Sequence, residues 1–259
     1  MRTINYLLRT TVIDKMTIPF TIRIALTQEP AFFADLFQRV RKDIDRDLTR
    51  IDDEFSPFKA TSLLSQFRAG DLSLLESSAR FAEVFTLAQA AQVETAGYFD
   101  PNFDGDYNPT GLVKGWAINR IFDQRLRPLL RTPEIVGVSL NGGGDIMTAI
   151  KATTDFRWGV GIANPLNDSE ILGKYDLANN GIATSGLSRR GEHIRRQASS
   201  LQQVTIVDES LLFADIWATA GMAAGTKTLL NLAARHQLNG VLVDEQLGVV
   251  HFSKGVSQP

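Results

Sequence analysis

The chain has 259 residues, 44% of them hydrophobic and 22% charged, which is the make-up of a folded protein with a real core rather than a disordered tract. Its formal net charge of -2 gives no basic field to recruit nucleic acid or anionic lipid, so a phosphate-bearing ligand must be held by local amides, a few cations or a metal. The absence of cysteine excludes disulfides, zinc–thiolate and iron–sulfur sites and thiol nucleophiles, and three histidines (His193, His236, His251) offer little to a histidine-rich metal centre.

In chain order, residues 1–15 read as an N-terminal extension and residues 16–259 as a single domain. Ile18, Phe20, Ile22, Ile24 and Leu26 alternate with mostly polar neighbours, the period of a half-buried strand. Pro30 opens a helix in which Phe33, Phe37, Val40, Ile44, Leu48 and Ile51 recur every three or four residues. The opposite face of that helix mixes Arg, Lys and Asp in balance, which predicts a solvated face and not a binding patch. A second helix is predicted over 74–96, stopping before Gly97.

Residues 97–115 are rich in Gly, Pro, Asp and Asn, the composition of an ordered functional loop. A short helix over 114–125 follows, and residues 125–134, with two prolines, read as a connector. Short strands are predicted over 135–140, 157–163 and 203–207. A helix rich in small residues covers 214–224, is interrupted near Gly225 and resumes through Ala234. Asn239-Gly240 starts a last hairpin that pairs 241–244 with 249–252. This order predicts an α+β fold of two closely packed lobes, with helices against a largely antiparallel sheet.

Four segments can carry chemistry. The loop that ends at Lys114-Gly115 and enters a helix offers amide donors and a cation to a phosphate, although it lacks the spacing of a P-loop. Asn141-Gly142-Gly143-Gly144-Asp145 follows a predicted strand, and its glycines suit close backbone approach or a simple tight turn. Ala183-Thr184-Ser185-Gly186 places hydroxyls beside glycine, with Arg189 and Arg190 able to pair with a diphosphate. His193 nearby can exchange a proton near neutral pH, as can any loop histidine without a role. Asp215 and Thr219, four apart on a helix, share one face and suit a hard, oxygen-seeking cation. By spacing alone, each segment also fits an ordinary turn or helix.

Taken in order, these segments resemble one family. Met16-Thr17-Ile18-Pro19-Phe20, Phe55-Ser56-Pro57-Phe58 with Ser62, Gly97-Tyr98-Phe99-Asp100-Pro101, Gly111 to Ala117, Asn141 to Asp145, Trp158 to Pro165, Ala183 to Gly186 and Ala214 to Ala220 are similar to the ApbE-like FAD:protein FMN transferases. The resemblance runs from about Met16 to Phe252. It implies magnesium-dependent transfer of FMN from FAD to a Thr or Ser hydroxyl of an acceptor flavoprotein, releasing AMP. It also implies Asp215, Thr219 and the Gly111 carbonyl as magnesium ligands. Met16, Tyr98, Phe99, Asp100, Asn108, Lys114, Thr184, Ser185 and Gly186 would contact the flavin nucleotide, and His193 would be the base.

The chain departs from the family pattern at four places. Ile194 to Ser199 replaces the usual Asp-Pro-x-Thr-Gly turn, and Asn108 stands where many relatives have Asp. Ala218 stands where many have a second acid, and no glycine follows Met16. The alternative is therefore a flavin-binding homologue that no longer transfers. No apolar run approaches the ~20 residues of a membrane span, so the expectation is a cytoplasmic protein without a membrane anchor or a nucleic-acid partner.

Overall fold

The computed structural model describes residues 5–186 and 200–258. It opens with β1 (Leu7–Lys15) and β2 (Ile18–Leu26), which pair antiparallel with Leu7 opposite Leu26 and Lys15 opposite Ile18. Met16 and Thr17 join them at φ of 52° and 63°, the left-handed pair that a two-residue hairpin turn demands. From Leu7 onward the stretch read as an extension is thus a strand at the edge of the main sheet.

Helices then cover one side of the sheet. α1 (Phe33–Phe55) buries Phe33, Val40, Ile44, Leu48, Ile51 and Phe55, following the three-and-four spacing of the sequence. Next come α2 (Leu63–Arg68), α3 (Leu74–Ser77) and α4 (Ala79–Glu94). Where one helix was expected over 74–96 there are two. Ser78 turns extended (φ -121°, ψ 101°) and its side chain accepts from the Phe81 N–H, capping α4 and ending α3.

α5 (Thr110–Ile121) starts earlier than the sequence suggested, so Lys114 and Gly115 lie inside the helix and not at its entry. The cause is local. Asn108 Oδ1 accepts from Thr110 Oγ1 at 2.8 Å, and Pro109 fixes the backbone just ahead of the first turn. The expected connector after α5 is helical as well, a π-turn over Phe122–Leu126 followed by a 3-10 turn over Arg127–Arg131 that takes Pro128 in its first turn.

The remaining elements are β3 (Ile135–Gly142), β4 (Asp145–Ile150), β5 (Trp158–Asn164), β6 (Asn167–Leu177), β7 (Gly181–Gly186), β8 (Leu201–Asp208), α6 (Leu211–Ala224), α7 (Thr226–His236), β9 (Asn239–Asp244), β10 (Gly248–Ser253) and β11 (Val256–Gln258). Nine strands form one sheet in the order β1-β2-β3-β4-β7-β8-β9-β10-β11, and β5 pairs with β6 in a separate hairpin. Every pairing among the described residues is antiparallel. The α+β expectation, with helices on a largely antiparallel sheet, is met.

Two apolar clusters hold this together. The larger joins the sheet to α1, α4, α5 and α6, and the smaller lies under the hairpin around Trp158, Ile162 and Leu177. Gly181 lets α6 start directly on β7, because a Cβ there would stand 2.6 Å from Leu211 Cα. No helix among the described residues is long and apolar enough to cross a membrane.

Candidate active site

α5 and α6 cross with the glycines of one helix against the polar side chains of the other. Gly111 and Gly115 are one turn apart on α5, as are Asp215 and Thr219 on α6. A Cβ on Gly115 would stand 2.8 Å from both Cβ and Oδ2 of Asp215, closer than any side chain tolerates. At Gly111 a Cβ would meet Phe99 Cε2 at 3.3 Å and Thr219 Cγ2 at 3.7 Å. The backbone of α5 therefore lies directly on the Asp215–Thr219 pair.

That approach has an electrostatic result. The Gly115 N–H donates to Asp215 Oδ2 at 3.0 Å. Regular helix geometry assigns the same N–H to the Gly111 carbonyl, so the carboxylate competes for it. Lys114 Nζ lies 3.5 Å from Asp215 Oδ1 and is also ion-paired with Asp145 Oδ2. Asp145 Oδ1 accepts from the Thr184 N–H at 3.0 Å, tying β4 to β7 at the same point. The side chains of Lys114, Asp145 and Asp215 are 9%, 1% and 2% exposed. One ammonium thus sits between two carboxylates away from water, where each charge depends on its partners.

These helices floor a cleft of about 1630 Å³. Met16, Tyr98, Phe99, Asp100, Asn108, Gly111, Lys114, Thr184, Ser185, Gly186, Asp215 and Thr219 all line it, so the structure brings together every expected site residue that it describes. Ser185 Oγ lies 3.3 Å from Thr219 Oγ1. Asn108 uses both ends of its amide, accepting from Thr110 and donating through Nδ2 to Asp104 Oδ2 at 3.1 Å. An Asp at this position would lose that donor. His193 falls outside the described residues.

With this geometry in view, the comparisons with known proteins decide the lineage. The model of the ApbE family matches residues 16–105 and 107–242. The chain belongs to the ApbE family. Among solved structures it is similar to the flavin transferase ApbE of Vibrio cholerae, with a TM-score of 0.73 and 17% identity over 96% of this chain and 98% of that one. It is likewise similar to the apo flavinyl transferase ApbE of Pseudomonas stutzeri, with a TM-score of 0.71 and 16% identity over 98% and 97%. The ApbE protein of Thermotoga maritima gives 0.76 and 17% over 95% and 97%. No curated protein sequence matches significantly.

Within this ApbE fold, Asp215 and Thr219 lie against the Gly115 and Gly111 backbone at the seam. A carboxylate and a hydroxyl are oxygen donors of the kind that magnesium takes. No group of three His, Cys, Asp or Glu side chains forms a metal cluster among the described residues. Ala218, at the position where relatives often carry an acid, is fully buried and outside the cleft lining.

Two residues escaped the sequence reading. Asp145 closes the Asn-Gly-Gly-Gly-Asp run, and that acid at the end of a glycine turn was its one available signal. Arg68 lines the cleft from the end of α2, and nothing in its sequence neighbourhood marks it.

Proposed function

We propose that this ApbE-family protein transfers the FMN portion of FAD to a Thr or Ser hydroxyl of an acceptor protein, with magnesium, releasing AMP. The observation that carries the reading is the α5–α6 seam, where Gly111, Asp215 and Thr219 meet at the floor of a cleft. At about 1630 Å³ the cleft exceeds the ~300–1,000 Å³ of ordinary ligand pockets, leaving room for a dinucleotide and part of an acceptor. The names of the similar Vibrio and Pseudomonas proteins point the same way.

In the reaction the acceptor hydroxyl oxygen attacks the phosphorus of the FMN half. The anhydride P–O bond breaks, AMP carries away the bonding pair, and the hydroxyl proton passes to a base. Magnesium held by Asp215, Thr219 and the Gly111 carbonyl would neutralise charge on the diphosphate as that bond breaks. The protein's own part is placement. Lys114 and the Gly115 N–H fix both oxygens of Asp215, and the Thr184 N–H fixes Asp145 behind them. Such preorganisation is worth most when the groups need not move during the reaction. His193, by its match to the family histidine, is the proposed base.

A second reading, flavin binding without transfer, draws support from Ala218 in place of a second acid on α6 and from Ile194 to Ser199 in place of the Asp-Pro turn. One experiment separates the two. The protein is incubated with FAD, magnesium and a peptide bearing the acceptor Thr or Ser, and AMP and flavinylated peptide are followed by chromatography and mass spectrometry. Transfer predicts both products, and Asp215→Asn should lower the rate at least about 100-fold while the fold survives. FAD binding without AMP across several acceptors would leave only the second reading, and no FAD binding would defeat both.

A further inference from the structure

The described part of the cleft is lined by three bases, Lys59, Arg68 and Lys114, against four acids, Asp52, Asp100, Asp104 and Asp215. At full charge that lining is unfavourable to a diphosphate, so each uncommitted cation matters. Lys114 is held between Asp145 and Asp215. Lys59 is paired with Asp52 and, at 2.8 Å, with Asp53.

Arg68 differs from both. Its guanidinium makes one hydrogen bond among the described residues, from Nε to the Tyr107 carbonyl at 2.7 Å. Nη2 is shielded from water and has no hydrogen-bond partner among the described residues. A cationic N–H kept from water without an acceptor is a standing cost that a ligand oxygen can remove. The Nε tether fixes the stem to the wall of the cleft, because the Tyr107 ring is packed against Phe67 and Phe85 at centroid distances of 5.4 and 5.2 Å. The terminal nitrogens of the fork carry no such tether.

We propose that Arg68 binds a phosphate oxygen of the FAD diphosphate, acting as a substrate-binding residue for the donor. The proposal rests on the flavin-donor reading above. A planar guanidinium matches phosphate in two-point geometry, and this one adds positive charge to the described, acid-rich part of the lining.

The test uses FAD and riboflavin, which share the ring system, with FMN as the form that adds phosphate without adenosine. Binding to the full-length protein with magnesium is followed by flavin fluorescence, with circular dichroism reporting the fold. Arg68→Gln should weaken FAD about tenfold or more, weaken FMN as well, and leave riboflavin unchanged. Arg68→Lys should weaken FAD by less, keeping the charge but losing the fork. Unchanged FAD affinity in a folded Arg68→Gln, a loss for FAD but not FMN, or an equal loss for riboflavin, overturns the proposal while the donor reading stands. Should Arg68→Gln not fold, Arg68→Lys decides alone: a loss for FAD and FMN but not riboflavin supports the assignment, and any other pattern overturns it. Wild-type protein that binds neither flavin defeats the donor reading and this proposal together.

Discussion

The α5–α6 seam and the β5–β6 hairpin line the same cleft, yet glycine serves opposite ends in them. At Gly115 an added Cβ would strike the Asp215 carboxylate, which a backbone N–H and a buried lysine hold in place. At Gly159 it would meet Lys174 Cε at 2.8 Å, the far end of a flexible side chain that can move aside. The Lys114 and Asp215 side chains of the seam are buried, whereas the hairpin leaves Leu166 and Ile171 at 74% and 59% exposure and slips register at Ile162 to Asn164. One wall is buried and close-packed, and the other is exposed. That division suits a reaction that fixes one substrate chemically and accepts another by shape.

Four substitutions probe this contrast. Lys114→Met strands the Asp145 and Asp215 carboxylates in the interior, and chemical denaturation should register a loss of about 3–5 kcal/mol. A loss below about 1 kcal/mol would mean that the seam is not held by its charges. Gly115→Ala should cost about 1–3 kcal/mol through overpacking. It should also lower magnesium affinity in the presence of FAD, measured by calorimetry, because Asp215 must shift.

On the exposed wall, Ile171→Ser should stay within about 0.5 kcal/mol of wild type in thermal melts. A cost as large as that of Gly115→Ala would erase the distinction between the walls. Smallest of all is Tyr107→Phe near neutral pH. The Tyr107 hydroxyl is buried without a partner, so its removal should be neutral or slightly stabilising. Burial pushes the Tyr107 phenol well above its usual value near 10, so the folded state keeps its proton longer than the unfolded chain does. Stability is then full below about pH 10 and falls as pH rises beyond it. Tyr107→Phe should flatten that alkaline decline in a pH series of melts.

The elements differed in how far they could be read from sequence. α1 was legible because its buried residues repeat with helical period, whereas the spacing of Asp215 and Thr219 predicted only a shared helix face, and their reading as a site came from the resemblance. β7 was not legible, since Gly181 to Gly186 holds small residues whose strand geometry comes from pairing with β4 and β8 and from α6 lying on Gly181. β1 was missed because Leu7, Leu8 and Val12 are exposed at the sheet edge and leave no clean alternation. The partnership of Lys114 with Asp145 and Asp215 was hidden for a different reason: it joins residues far apart in sequence through contacts created where α5 meets both β4 and α6.

The pairing of β2 with β3 has a consequence for how the chain acquires its structure. Phe20 meets Gly142 and Leu26 meets Ile135, so this ladder encloses the whole run of helices from α1 to α5. The β1–β2 hairpin can close locally, but its inner edge must wait for a partner that leaves the ribosome more than a hundred residues later, at about 5–20 residues per second. During that interval the unpaired edge carries Phe20, Ile22 and Ile24, all fully buried in the finished protein. Joining so distant a strand carries a loop-closure cost and makes folding slow. Chaperone demand during synthesis should therefore be greatest before β3 emerges.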